Sequence, residues 1–480
     1  MLAQEDTHQP AVADDKPRRV RLRGMAAAAA LVAAMVGGFA ATSGADAQTP
    51  GADGVSVAVA GNRLVDVAGH PVQLVGVNRS GSEYACAQGW GIFDGPSDAA
   101  SVAAMAAWHV NSVRVPLNED CWLGINGVAP AVGGARYQSE IEAYVHRLNQ
   151  AGIVAIVDLH WGAPGAQLAL GQEAMPDADH APAFWRSAAS AFKGNPGVVL
   201  DLFNEPHDVS WSCWLHGCVM PEGWHAAGMQ SLLDAVRSTG TTQPVMVEPL
   251  GWGGDLSGWL ANEPSDPDHA LVASVHLYNP SGCNTLSCWN GVMAPVAAQV
   301  PVVTGELGEY DCSSAFIAAY MAWADAHNIS YLGWTWNAGG GWTCSAGPAL
   351  IDDFNGTPNR FGAGFQAHLA ARASAHGGYR VTQSWGNGGV ISLQITNTGA
   401  TPIGTAAAPW VLRFALAAPA QVSSMWNAVL SADTDGVVTA TAPSYAPVIT
   451  PGQTWTIGYV QGANLAGPTE ITIDGAPVAS

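Results

Sequence analysis

Charge is scarce in this chain, and basic charge is scarcer still. Charged residues make up 11% of the 480, against about 25% in an average globular protein. Seventeen Lys+Arg face 38 Asp+Glu, a formal charge of −21, with no basic patch to offset it. Nucleic acid and anionic membrane surfaces repel such a chain, so neither is expected as a partner. No Gly-rich phosphate fingerprint follows any apolar run, which argues against a nucleotide. No cofactor and no metal are expected. Past residue 41 no apolar stretch is long enough to span a bilayer, and past residue 344 there is no cysteine. What abounds is apolar: 48% of the residues, 19 Trp among them. That excludes a disordered chain, and so many flat rings point to stacking on ligands with apolar faces.

The first 47 residues read as a signal peptide. Lys16, Arg18, Arg19, Arg21 and Arg23 precede an Ala-rich run, Met25 to Ala41, and Ala45-Asp46-Ala47 offers a small-residue cleavage site. A retained membrane anchor is the competing reading, but the run is short for a span. The expectation is a secreted, extracellular protein, off the membrane once the leader is cut. Export makes the eight cysteines disulfide candidates. Pairing near neighbours gives Cys86–Cys121, Cys213–Cys218, Cys283–Cys288 and Cys312–Cys344. The competing use, a zinc site from the two C-x4-C spacings and His216, is the weaker one.

From about Val72 to Ala373, short β-rich runs alternate with helix-period segments. The runs are Val72–Val77, Ser112–Pro116, Ile153–Leu159, Val198–Phe203, Pro244–Val247, Leu271–Val275, Pro301–Thr304 and Ser330–Trp334. Eight strands over roughly 300 residues suit an α/β (β/α)8 TIM barrel, here assigned to residues 48–373. A hairpin around Gly61-Asn62 is expected to cap its bottom. After residue 375 helical periodicity stops and short strands recur, so residues 378–480 read as a small all-β sandwich joined by a short connection.

Barrel chemistry sits at the C-terminal ends of the strands. Those ends carry Arg114, Asp158 and His160, Asn204 and Glu205, Glu248, His276 and Tyr278, Glu306, then Trp334 and Trp336. Glu205 and Glu306 follow strands four and seven, across the barrel from one another. Two carboxyls flanking one bond are what glycoside hydrolysis needs, one protonated and one ionised. Arg114 and Tyr278 are placed to support Glu306, and Asn204 to grip a sugar hydroxyl. Trp334 offers a floor for a sugar ring. Glu248 reads as structural, and Asp158 as an orienting group.

These residues carry a resemblance. Val113-Arg114-Val115-Pro116, Asp158-Leu159-His160-Trp161, Leu202-Phe203-Asn204-Glu205-Pro206-His207, His276-Leu277-Tyr278, Gly305-Glu306-Leu307-Gly308 and Gly333-Trp334-Thr335-Trp336-Asn337 resemble glycoside hydrolase family 5 over residues ~55–370. The resemblance implies Glu205 as acid/base and Glu306 as nucleophile. It implies Arg114, His160, Asn204, His276, Tyr278, Trp334 and Trp336 as substrate-binding. Arg79-Ser80 stand where similar cellulases often carry aromatics, and the loop Ser210–Met220 is an elaboration beside the acid/base.

After residue 375, Tyr379 to Gly386, Ile395 to Gly399, Trp410-Val411-Leu412, Met425 to Ala428 and Ile449 to Gly452 resemble carbohydrate-binding module family 2. That resemblance implies exposed rings at Trp385, Trp426 and Tyr445; Trp410 and Trp455 read as sandwich core. The bridging cysteines common in that module are absent. Together the two resemblances imply a monomeric endo-β-1,4-glucanase (cellulase) bound to a β-glucan polysaccharide such as cellulose. The alternatives are a β-mannanase, xyloglucanase or exo-β-glucosidase of the same family, or a non-enzymatic carbohydrate-binding protein.

Overall fold

The computed structural model describes residues 55–478, apart from 68, 70, 374, 400, 418, 419, 435, 464, 466 and 475. The leader expected over residues 1–47 lies outside the described residues. Among those described, no helix is long and apolar enough to cross a membrane.

Eight parallel strands close into a barrel: β1 (Val75–Asn78), β2 (Ser112–Asn118), β3 (Val154–Trp161), β4 (Val198–Asp201), β5 (Val245–Val247), β6 (Leu271–Tyr278), β7 (Val302–Gly308) and β8 (Ser330–Gly333). Helices lie between them: α1 (Ala99–Ala106), α2 (Glu119–Leu123), α3 (Ala135–Gln150), α4 (Ala181–Phe192), α5 (Met229–Arg237) and α6 (Ala315–Ala326). A last helix, α7 (Arg360–Ala373), follows β8. Both faces of the sheet are covered, which is why these strands read as apolar runs rather than as alternating patterns.

The alternation shows in which core each residue joins. On β3, Ala155, Val157 and Leu159 pack outward with the helices. Val154 and Ile156 turn into the barrel, where they meet Leu74, Val199, Met246, Val272, Val303 and Leu332. Val57 and Leu64 of the N-terminal hairpin, Ala58–Ala60 with Arg63–Val65, close that inner layer from below. Further along, inward positions turn polar at Asn78, Arg114, Asp158, Asp201, Glu248 and His276, all buried. The barrel is therefore apolar at the bottom and ionisable at the top, the end where barrel enzymes work.

Disulfides join Cys86 to Cys121, Cys213 to Cys218, Cys283 to Cys288 and Cys312 to Cys344. No thiol is left free for the zinc alternative.

Strand β9 (Ala375–Trp385) begins just past residue 374, which follows α7, and among the described residues it is the first of nine antiparallel strands in two sheets. Strands β9, β10 (Gly388–Asn397), β15 (Thr454–Gly462) and β12 (Gln421–Trp426) form one. Strands β13 (Val429–Thr434), β14 (Val437–Thr441), β11 (Val411–Ala415), β16 (Thr469–Ile473) and β17 (Ala476–Pro477) form the other. Ile391, Leu393, Ile395, Trp410, Leu412, Phe414 and Ile457 fill the space between. Trp455 is a correction: it is half-buried, its Nε1 donates to the Asn427 carbonyl, and its ring lies 6.2 Å from Tyr445. It packs against the core from the edge, beside the exposed rings, rather than inside it with Trp410.

Candidate active site

Arg114 projects from the middle of β2 with no exposed surface. Its Nε donates to Asp201 at 2.9 Å, its Nη1 to Glu306 at 2.9 Å, and its Nη2 to Asn204 and Glu248 at 2.9 Å each. Asp158 lies 3.2 Å from Nη2. One guanidinium thus gathers the ends of β3, β4, β5 and β7, a task its planar fork of five donors suits.

Glu306 reaches that centre through a bulge. Strands β6 and β7 run in step up to Val275 opposite Thr304, after which His276 stands opposite Glu306. Gly305 is the extra residue, and the bulge turns the Glu306 carboxyl inward. A side chain at Gly305 would press on Ser274 Oγ and His276 Nε2, at 3.0 and 3.1 Å from its Cβ. The Gly-Glu pair in the sequence therefore has a steric cause. Tyr278 Oη donates to Glu306 Oε2 at 2.5 Å.

Glu205 leaves the end of β4 at a φ of 54°, a left-handed conformation that favours glycine. Its amide donates to Glu248 Oε2 at 2.7 Å, and its Oε1 meets His276 Nδ1 at 2.9 Å. One oxygen of Glu205, one of Glu306 and a His276 nitrogen all lie within 4.8 Å of one another. The two carboxyls expected across the barrel mouth are thus neighbours.

Burial raises the Glu306 carboxyl above its ordinary range, and the Glu205 charge adds to this, against His276, Arg114 and His160. Burial also opposes charge on Glu248, but His276, Arg114 and the Glu205 N–H hold its carboxyl below the usual range. Asp201 goes the other way: burial and the Glu248 charge lift it far up despite Arg114. Burial pulls on His276 too, yet the Glu248 and Glu306 charges raise it well above an ordinary imidazole. Glu248 is structural in that it holds three of these groups, and it does so inside the site.

His160 faces Trp334, rings 5.6 Å apart and parallel to within 4°, with its Nδ1 3.0 Å from Asp158. Trp334 keeps a small exposed edge. Trp336 corrects the sequence reading: it is fully buried, edge-on to Trp108 at 4.9 Å, and cannot touch a substrate. Arg79 is buried as well, over the Phe354 ring at 4.8 Å. Two residues escaped the sequence reading. Gln172, in the loop before α4, accepts from Asn204 Nδ2 at 2.8 Å and donates to the Asn204 carbonyl. Glu83 lies buried beside His160.

Burial pushes the Glu83 carboxyl up to about 7 from 4.5, with the His160 charge and the Glu83 and Gly81 N–H groups opposing. The folded chain then keeps a proton that the unfolded chain releases near pH 4.5. Stability from this source is whole below that pH and is lost as pH rises through 7. Glu83→Gln is expected to remove a penalty of about 3 kcal/mol at pH 8 and to change little at pH 4. Thermal melts at both pH values check this; parallel pH dependence in the two proteins would exclude Glu83 as the source.

In the sandwich, Trp385 and Trp426 are each 45% exposed and Tyr445 is 70% exposed. Trp426 packs against Gly458, where an added Cβ would sit 1.9 Å from the indole. Tyr445 Oη meets Asn427 Oδ1 at 3.3 Å.

Comparison with known proteins agrees with both parts. A family model described as Cellulase (glycosyl hydrolase family 5) matches residues 65–340, and one described as Cellulose binding domain matches residues 375–478. A mannan endo-1,4-beta-mannosidase of Streptomyces lividans is 24% identical over 68% of this chain and 77% of its own length. An endoglucanase 1 of Robillarda sp. is 28% identical over 33% of this chain and 44% of its own. A crystal structure of a beta-glucanase from Saccharophagus degradans in complex with cellotetraose superposes with a TM-score of 0.50 at 20% identity. It covers 66% of this chain and 93% of that one, a likeness of fold. With its family model spanning more than half the residues, this chain belongs to glycosyl hydrolase family 5, a glycoside hydrolase barrel followed by a cellulose-binding domain.

Proposed function

We propose that the protein is an extracellular, retaining endo-β-1,4-glucanase. The observation that carries this reading is the approach of Glu205 and Glu306 to within 4.8 Å. Retaining enzymes hold their carboxyls about 5–5.5 Å apart, whereas inverting enzymes need about 6.5–9.5 Å to admit a water. Glu306 attacks the anomeric carbon as Glu205 gives its proton to the departing glycosidic oxygen. Glu205 then takes a proton from water, whose oxygen displaces Glu306 and releases the sugar. Burial raises Glu306, but Arg114 and Tyr278 both donate to its oxygens and so support its carboxylate form against that pull. Asn204, held between Arg114 and Gln172, has one amide proton left for a sugar hydroxyl. Trp334 forms the floor.

The sandwich supplies retention. Trp385, Trp426 and Tyr445 offer flat rings to successive sugar faces, which raises the local concentration of the barrel on insoluble glucan without changing its chemistry. A second reading, endo-β-1,4-mannanase, is favoured by the breadth of the match to the Streptomyces lividans mannosidase.

The deciding assay compares soluble cellulose, mannan and xyloglucan at equal concentration, with products sized over time. The expected result is fastest cleavage of the cellulose derivative to mixed short oligomers, at least tenfold over mannan. A rate order with mannan first would replace the glucanase reading, and release of single sugars only would replace endo action. In the same assay W385A/W426A should keep the soluble rate and lose retention on insoluble cellulose.

A further inference from the structure

Outside the catalytic centre, a second group of ionisable side chains is buried at the same end of the barrel. Glu119 opens α2 directly after β2, and Asp177 and His180 close the long loop that leads from β3 into α4. One ligand atom from each lies within 4.8 Å of the other two. Glu119 has no exposed surface and Asp177 almost none. Neither Glu119 oxygen, nor Asp177 Oδ2, nor His180 Nδ1 meets a partner at good hydrogen-bond geometry; the polar groups beside Glu119 are Asp177 and the Ala163 backbone. Neighbouring acids are treated differently. Asp120 accepts from the Ala169 amide and from Asn126, and Asp177 Oδ1 accepts from the Asp179 and His180 amides.

Two buried carboxylates without a strong positive partner are costly. Among the described residues no lysine or arginine pairs with either; only His180 approaches, 3.8 Å from Glu119 Oε1 and 3.5 Å from Asp177 Oδ1. Those gaps are informative. Donors about 2.1 Å from one ion, at near-tetrahedral angles, stand about 3.4 Å apart. His180 thus stands too far from either carboxylate for a good hydrogen bond and about right for an ion between them.

We propose that Glu119, Asp177 and His180 form a binding site for a divalent transition ion, zinc fitting best. Two carboxylate oxygens with an imidazole nitrogen make a borderline donor set, which favours zinc over calcium or magnesium with their all-oxygen shells. His180 is 22% exposed, so the fourth position opens to solvent on its side. The ion fastens the loop after β3 to the start of α2. That loop carries Gln172, which braces Asn204. The site shares no residue with Glu205, His276 and Glu306, and the proposal stands whichever polysaccharide is cleaved.

The test uses the full chain, stripped with EDTA, re-equilibrated with zinc, manganese or calcium, and passed through gel filtration. Elemental analysis should find about one zinc per chain, and zinc should raise the melting temperature of the stripped protein by about 3 °C or more. His180→Ala, at the partly exposed position, should weaken zinc binding at least tenfold and abolish the shift while melting like the stripped parent. Glu119→Gln should do the same without zinc-dependent melting. The rival arrangement is a proton shared by Glu119 and Asp177; it gives no retained metal and melting indifferent to EDTA and zinc, and that result overturns the site. Zinc bound equally well by His180→Ala, or calcium retained in preference to zinc, overturns it too.

Discussion

Glu306→Gln is expected to lower kcat on soluble β-glucan by at least about 10⁴-fold, the scale seen when a group essential to the covalent step is removed. The amide keeps a carbonyl oxygen for Arg114 Nη1, now at 2.9 Å from Glu306 Oε1, but it lacks the negative charge and the free electron pair that close on the anomeric carbon. The fold should not suffer. Burial already works against the Glu306 charge, so its removal leaves one fewer anion around Arg114. Retention on insoluble cellulose should be unchanged, since the exposed rings of the sandwich stand outside the barrel. Kinetics on soluble substrate, a pull-down and a melting curve together check the prediction. A rate within about 100-fold of the parent would take the nucleophile's role from Glu306 and with it the double displacement.

The same carboxyl makes a matching demand on pH. On the proposed mechanism Glu306 attacks as a bare carboxylate, so activity is expected to fall on the acid side as Glu306 takes up a proton, which a pH–rate profile checks. The upward pull of burial on Glu306 moves the acid limb above that of an ordinary carboxylate.

Much of this centre was legible because a parallel barrel imposes simple rules on its sequence. Each strand is an apolar run ending in an inward polar residue, so Asn204-Glu205, His276-x-Tyr278 and Gly305-Glu306 could be read as one rim before any distance was known. Glu248 fell on the same rim, yet nothing local says that one carboxylate receives an amide from Glu205 and a guanidinium from Arg114. Those contacts join segments 43 and 134 residues apart. Trp336 misled for the opposite reason. Two residues beyond Trp334 it should share its face by strand alternation, but β8 ends at Gly333, and from there the alternation no longer applies. Gln172, Asp177 and His180 lie on or at the end of a loop with no period to read. Their neighbours are chosen by how the loop folds back, a tertiary property.

Arg114→Met should be the most damaging substitution to the molecule as a whole. The methionine fills similar space but leaves Asp158, Asp201, Glu248 and Glu306 buried together without their common cation. Breaking a buried ion network by deleting one partner costs about 3–5 kcal/mol. Beyond the imidazoles of His160 and His276, protonation is the remaining relief, so the loss should deepen as pH rises and the acids are pressed to ionise. Activity should vanish with it, because Asn204 and Glu306 lose the donor that spaces them. Arg114→Lys separates charge from geometry. An ammonium restores a positive centre and part of the stability, but a single point charge cannot reach four strands at once, so kcat should stay at least about 100-fold down while the melting temperature recovers. If the lysine variant regained full rate, the fork of donors would be dispensable and charge alone would suffice. If the methionine variant melted like the parent at pH 8, the four carboxylates would not depend on Arg114 for their burial.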